Sequence, residues 1–133
     1  MAKPLVATGH FTGCFGCHMS ILDIDERILD LVELVEFDKS PINDIKTFSR
    51  PVDIGIIEGG VSNDENVEVL KDFRENCKIL VAIGECALTG GVPCMRNTVP
   101  LQECLNEAYL SGPTVAAGSI IPNDPELPIL LDK

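Results

Sequence analysis

The feature that most constrains this chain is an alternation of short, largely apolar runs with longer stretches whose apolar residues recur at helical spacing. Leu5-Val-Ala-Thr-Gly, Val52-Asp-Ile-Gly-Ile-Ile and Lys78-Ile-Leu-Val-Ala-Ile read as buried strands, the third the clearest. From Met19 to about Phe37, Ile21, Ile24, Ile28, Leu31, Val32 and Val35 share one helical face, and Asp23, Asp25, Glu26, Asp30 and Glu33 fill the remainder. Ser62 with Glu65 three residues on is a capping-box signature, with Val67, Leu70 and Phe73 as the stripe behind it. Val35 to Phe37 begins another short strand, ending by Ser40-Pro41. Leu101 to Tyr109 reads as a short helix whose first turn opens at Pro100. Beyond Gly112 the Pro-rich stretch reads as irregular, with Ile120-Ile121 a strand fragment.

Strand, helix, strand, helix, strand predicts an α/β fold, a three-layer sandwich around a mainly parallel sheet. A flavodoxin-like strand order fits, with function gathered at the carboxyl ends of the strands. No repeat, linker or low-complexity run divides the chain. Residues 1–112 are expected to form the domain proper, and 113–133 an irregular segment of it. With 45% apolar residues but five Phe, one Tyr and no Trp, its modest core must rest on Val, Ile and Leu.

Charge and cysteine content narrow the function. A net charge of −11 argues against nucleic-acid binding, which needs clustered Lys and Arg. No apolar run approaches the roughly 20 residues that span a bilayer. The N-terminus, running directly into a strand, lacks the pattern of a secretory signal. A cytoplasmic, reducing setting is therefore expected. There the six cysteines are thiols, metal ligands or redox groups rather than disulfides.

Three segments stand at expected strand ends, Thr12–His18, Glu58–Ser62 and Gly84–Pro93, and successive right-handed crossovers put them on one edge of the sheet. Cys14, Cys17 and Cys86 can therefore meet in space. A Cys-x-x-Cys turn lets two thiolates reach one cluster, and glycines 13 and 16 permit close backbone approach. The same motif between strand and helix also suits a thioredoxin-like dithiol site, and alone it fits both readings equally. Cys86 shifts the balance toward metal, because a dithiol site needs no third thiol; zinc stays open for any such set. Cys77 and Cys104 read as core thiols, and Cys94 as a minor candidate ligand. His18 is either a helix-start residue or a hydrogen-bond donor behind the cysteines; His10 reads as structural. Glu58, at a strand end in apolar surroundings, is a candidate proton carrier or donor-orienting group beside the cluster, since partly buried carboxylates have raised pKa values, or else a solvated loop carboxylate.

Cys14-Phe-Gly-Cys-His-Met-Ser, Ile57-Glu-Gly-Gly-Val and Gly84-Glu-Cys-Ala-Leu-Thr-Gly-Gly-Val-Pro together resemble the small subunit of NiFe hydrogenases. The likeness runs from about Val6 to Tyr109 and is greatest to the short small subunit of the soluble, bidirectional, NAD-linked enzymes. Asp23-Ile-Asp-Glu-Arg, Asp44-Ile-Lys and Phe73-Arg-Glu-Asn-Cys also resemble that branch. The cluster-bearing small subunit of respiratory complex I is a more distant relative. The resemblance implies a flavodoxin-like domain whose Cys14, Cys17 and Cys86 hold the 4Fe-4S cluster proximal to a nickel–iron centre in a separate large subunit. It implies electron relay from hydrogen toward iron–sulfur and flavin (diaphorase) subunits that reduce NAD, and admits FMN in this domain. Glu58 matches the family's strand-end glutamate near the large-subunit interface. The family's fourth ligand comes from a Gly-Cys-Pro-Pro motif, which this sequence lacks; a truncated chain or an incompletely held cluster is the expectation. A thioredoxin-like dithiol protein using Cys14 and Cys17, and a purely structural or assembly role, are the competing readings.

Overall fold

The computed structural model describes residues 2–132. Its centre is a four-stranded sheet of β1 (Leu5–His10), β2 (Glu36–Phe37), β3 (Val52–Glu58) and β4 (Cys77–Ile83). The spatial order is β2-β1-β3-β4 and every pair is parallel. Helices α1 (Gly16–Leu22), α2 (Arg27–Leu34), α3 (Asp64–Asn76), α4 (Gly84–Thr89) and α5 (Leu101–Asn106) connect or follow the strands. A 3-10 turn at Pro93–Thr98 precedes α5, and a π-turn at Glu107–Ser111 extends it. This is the expected parallel α/β architecture, in the order of a doubly wound sheet.

The ladder registers decide where function can sit. His10 pairs with Glu58, and Glu58 with Ile83, so β1, β3 and β4 end on one line across the sheet. The three segments that follow them open side by side.

Phe73 of α3 is wholly buried and anchors the core with Ala7, Val52 and Cys77. Its ring meets Phe48 edge-on at 5.0 Å. Glycine is required opposite it, because a Cβ at Gly9 would lie 2.7 Å from the Phe73 ring. Cys77 is thus the core thiol expected, whereas Cys104 is only half-buried.

Several local expectations are corrected. The long helix expected from Met19 to Phe37 is two helices, split where Asp25 turns left-handed at φ 56°. Aspartate tolerates that conformation better than most residues, so the apolar stripe continues while the backbone turns. Asn63, not Ser62, caps α3, its side chain accepting from Asn66 N–H at 2.7 Å. Ile120-Ile121 forms no strand. The clearest of the expected buried strands, β4, is the sheet edge, with Ile79 59% and Val81 38% exposed. It pairs with β3 on one side only, so its apolar character marks a surface rather than the core.

The Pro-rich stretch packs as irregular chain against the start of α3. Leu131 N–H donates to Ser62 O at 2.9 Å, and Ile129 N–H to Asp64 Oδ1 at 2.8 Å. None of the helices among the described residues is long and apolar enough to cross a membrane.

Asp38, 6% exposed after β2, ties the sheet to the segment leading into β3. It accepts from the Ser49 hydroxyl, and from Ser49 N–H at 3.1 Å. Burial pushes its carboxyl up, but those bonds, the Lys39 amide and the Arg50 charge outweigh burial and hold it below the ordinary aspartate value. A depressed folded pKa gives stability that is full above the unfolded value, about 3.9, and is lost as pH falls through the folded one. Asp38→Asn should therefore cost about 1.5–3 kcal/mol at neutral pH. Urea titrations at falling pH should show variant and wild type converging below about pH 4.

Candidate functional site

The site is built from the amino ends of two short helices set against the line of strand ends. After β1 the chain passes Cys14 and enters α1 through Phe15, a left-handed residue at φ 65°. Cys17 and His18 thus fall in the first turn of a helix rather than in a loop. Cys86 likewise sits in the first turn of α4, which begins directly at Gly84. Cys14 is exposed, and Cys17 and Cys86 are half-buried.

Each thiol lies against a glycine. Gly84, at φ +78°, leaves room for Cys17 Sγ, which a Cβ there would strike. A Cβ at Gly16 would lie 3.0 Å from Cys14 Sγ, and one at Gly91 3.1 Å from Cys86 Sγ. Gly13 faces Cys86 Sγ in turn, at 3.7 Å from a Cβ, which brings the β1 and β4 ends together. Gly16 N–H donates to Cys14 Sγ at 3.3 Å.

Burial pushes the Cys17 thiol up, and its hydrogen bond to Glu58 and the charges of Glu58, Cys14 and Cys86 add to the rise. The three cysteines are therefore close enough for their charges to act on one another. Among the described residues, however, no three Cys, His, Asp or Glu side chains converge to hold a single metal ion.

Behind the thiols lies a buried carboxylate with several donors. Glu58 is 3% exposed. Its Oε2 accepts from Cys17 N–H at 3.0 Å and its Oε1 from His18 N–H at 3.3 Å. These two amides, in the first turn of α1, have no partner within the helix, and Phe15 provides no side-chain cap. Glu58 caps the helix from another strand and places negative charge at its positive end. His18, wholly buried, bonds Glu58 Oε1 through Nδ1. Its ring stacks on Phe15 at 4.7 Å, and His10 Nδ1 lies 3.5 Å from the same carboxylate oxygen.

The expectation of a raised Glu58 pKa is corrected. Burial does push it up, but bonds from His18 and from the Cys17 thiol and amide outweigh burial and hold it below the ordinary glutamate value. Glu58 thus serves as a hydrogen-bond acceptor for the start of α1 rather than as a carboxyl with a raised pKa.

A second fastening joins the β1 and β3 ends. Thr12 and Gly60 exchange both backbone hydrogen bonds, at 3.0 and 2.7 Å, and the Thr12 hydroxyl bonds Ser62 and Asn66. Beside them, Cys86, Cys94, Phe11, Ser62 and Arg96 line a cleft of about 310 Å³. Cys94 is occupied elsewhere, its thiol donating to Gly91 O at 3.2 Å. Sequence reasoning missed Thr8 and Ser40, which back His18. The legible signal was Thr8 itself, a hydroxyl in a buried strand that must find a partner.

Thiols at the carboxyl edge of a parallel sheet, with a buried carboxylate–imidazole pair behind them, define the class: an α/β protein with a strand-end site suited to metal or redox chemistry. The chain belongs to the family of the NADH ubiquinone oxidoreductase 20 Kd subunit, whose model matches residues 14–126. It is 47% identical to the NAD-reducing hydrogenase HoxS subunit delta of Cupriavidus necator, over 98% of this chain and 64% of that protein. It is 41% identical to a subunit of the F420-non-reducing hydrogenase of Methanothermobacter thermautotrophicus, over 84% of this chain and 37% of that one. The chain thus spans less than two thirds of the length of either relative. A crystal structure of NAD+-reducing NiFe hydrogenase in its H2-reduced state contains a chain of the same fold. That match has a TM-score of 0.92 and 50% identity, covering 98% of this chain and 73% of that one. The expected resemblance to hydrogenase small subunits is borne out.

Gly84→Ala should destabilise the protein by more than Gly118→Ala does. Both glycines have positive φ, but Gly118 faces open space and Gly84 faces Cys17 Sγ. Backbone strain of about 1–2 kcal/mol is common to both. Thermal unfolding should show the excess loss at Gly84 alone.

Proposed function

We propose that this chain is the electron-transfer small subunit of a NAD-reducing NiFe hydrogenase, with Cys14, Cys17 and Cys86 as ligands to a 4Fe-4S cluster. The observation that supports this reading is the placement of these three thiols at one sheet edge, each beside a glycine, in a chain nearly half identical to a hydrogenase subunit. Residues 1–112 would form the cluster-binding domain, with 113–133 as an appended irregular segment. The cluster would lie proximal to the nickel–iron centre of a large subunit, and iron–sulfur and flavin subunits would complete the path to NAD in the cytoplasm.

The donor set fits a cluster on physical grounds. Three thiolates beside a carboxylate repel one another, and that repulsion is part of what pushes the Cys17 thiol up. Iron bound to all three would offset it. Cys14, Cys17 and Cys86 would each hold such a cluster through a separate thiolate, so they need not converge on one point as a single ion would require. When bound, such a cluster accepts and releases single electrons. Gly13, Gly16, Gly84 and Gly91 let the backbone approach the sulfurs, and Gly16 N–H already donates to one of them. Glu58 and His18 hold the Cys-x-x-Cys turn in place from behind. Cys94 is a poor fourth ligand, since its thiol is turned to backbone carbonyls. No observation favours a flavin in this domain, and the reading does without one.

The dithiol alternative, which uses Cys14 and Cys17, leaves Cys86, set beside Gly13 and Gly91 at the same sheet edge, without a role.

Protein purified without oxygen should contain iron and acid-labile sulfide and give an electron paramagnetic resonance signal on reduction. Cys17→Ser should abolish or convert the cluster, and Cys104→Ser should leave it intact. Iron-free protein that cycles a Cys14–Cys17 disulfide would overturn the reading, as would equal iron content in both variants. A nickel-containing large subunit should co-purify, with hydrogen-dependent NAD reduction.

A further inference from the structure

His18 continues away from the cysteines into a buried chain of hydroxyls. Its Nε2 lies 2.9 Å from Thr8 Oγ1, Thr8 Oγ1 lies 2.6 Å from Ser40 Oγ, and Ser40 Oγ accepts from Ile42 N–H at 3.2 Å. Thr8 and Ser40 are each 1% exposed and His18 is 0% exposed. One direction of donation satisfies every atom. The Ile42 amide donates to Ser40, the Ser40 hydroxyl to Thr8, the Thr8 hydroxyl to His18 Nε2, and His18 Nδ1–H to Glu58. Glu58 then accepts from the amides of Cys17 and His18. Among the described residues no buried side-chain nitrogen or oxygen lacks a partner.

We infer that Thr8 and Ser40 are positioning residues for the cysteine turn: they fix the tautomer and orientation of His18, which fixes Glu58, which holds the Cys17 amide. The backbone supports the same path. Thr8 N–H donates to Lys39 O at 2.8 Å and Ser40 N–H to Ile45 O at 2.9 Å, so both hydroxyls stand on a frame independent of the cysteines. The turn itself is poorly held by local means. Phe15 enters α1 in a left-handed conformation without capping it, and the helix has only seven residues. Orientation of the turn must therefore be imported, and this relay carries it from the side of β1 where Ser40 lies to the side where Cys17 lies.

For a bound cluster the inference rests on the proposed function, because hydrogen bonds and dipoles near the ligand sulfurs tune its potential. For the turn itself it does not, and the test separates the two. Thr8→Val deletes the hydroxyl at nearly constant volume, and Thr8→Ser restores it. Hydrogen exchange of the 15–20 segment is measured by mass spectrometry in the full chain within its assembled complex, with the α5 segment as internal reference. A hydrogen bond to a charged group held in place predicts about tenfold or faster exchange in Thr8→Val, with Ser40→Ala in the same direction and Thr8→Ser within about twofold of wild type. Redox titration of the iron signal should shift in Thr8→Val and not in Thr8→Ser. Unchanged exchange of the turn in Thr8→Val, with an unshifted potential, overturns the inference. A wild-type protein without iron overturns the cluster reading instead, and accelerated exchange would still support the relay.

Discussion

The carboxylate of Glu58 is the point on which the site depends. A buried charge is costly unless several donors compensate it, and here donors arrive from a helix amide pair, an imidazole and a thiol. The compensation runs both ways. The amino end of α1 has unpartnered amides and no local cap, so the carboxylate that needs donors meets the donors that need an acceptor. Charge in the depths of β3 is thereby converted into a fixed direction for the Cys-x-x-Cys turn.

That meeting is a consequence of register. His10, Glu58 and Ile83 stand in line because β1, β3 and β4 pair in parallel without slippage. A slip of one residue would turn Glu58 to the other face of the sheet and leave it without donors. The same line brings Gly84 against Cys17 and Gly13 against Cys86. Gly84 is needed there because a Cβ would strike Cys17 Sγ, and Gly16 and Gly91 stand tight against Cys14 and Cys86.

Much of this was legible in the sequence, and the parts that were not share a cause. Strand positions, the parallel architecture and the grouping of Cys14, Cys17 and Cys86 followed from short apolar runs and their order, which depend on local pattern. The break at Asp25 was hidden because a left-handed aspartate leaves the apolar stripe in phase. Burial of β4 was misjudged because apolar composition records what a strand prefers to contact, not whether this chain provides the contact. Glu58 was expected at the strand end as a proton carrier or a donor-orienting group, and the raised pKa behind the first role is what the structure opposes. Burial alone raises a carboxyl, and its donors lie about forty residues away, where no sequence spacing reveals them. Thr8 and Ser40 escaped for the same reason, since a satisfied hydroxyl looks ordinary until its partner is known.

The position of the relay in the fold follows from what partial satisfaction would cost. A buried polar chain strengthens the structure only when every member is paired, and one missing partner leaves the next group desolvated and alone. Such a chain tolerates little motion, so it belongs where motion is least. Here it crosses β1, an interior strand paired on both sides, with Ala7 wholly buried beside Thr8. The half-exposed and exposed cysteines stand outside that region, at helix ends that would otherwise fray. Linking them through Glu58 and His18 to β1 lets a solvent-facing turn inherit the rigidity of the sheet interior. The imidazole suits the middle of that link because it spans the gap between a carboxylate and a hydroxyl with one flat, inflexible ring, donating at one nitrogen and accepting at the other.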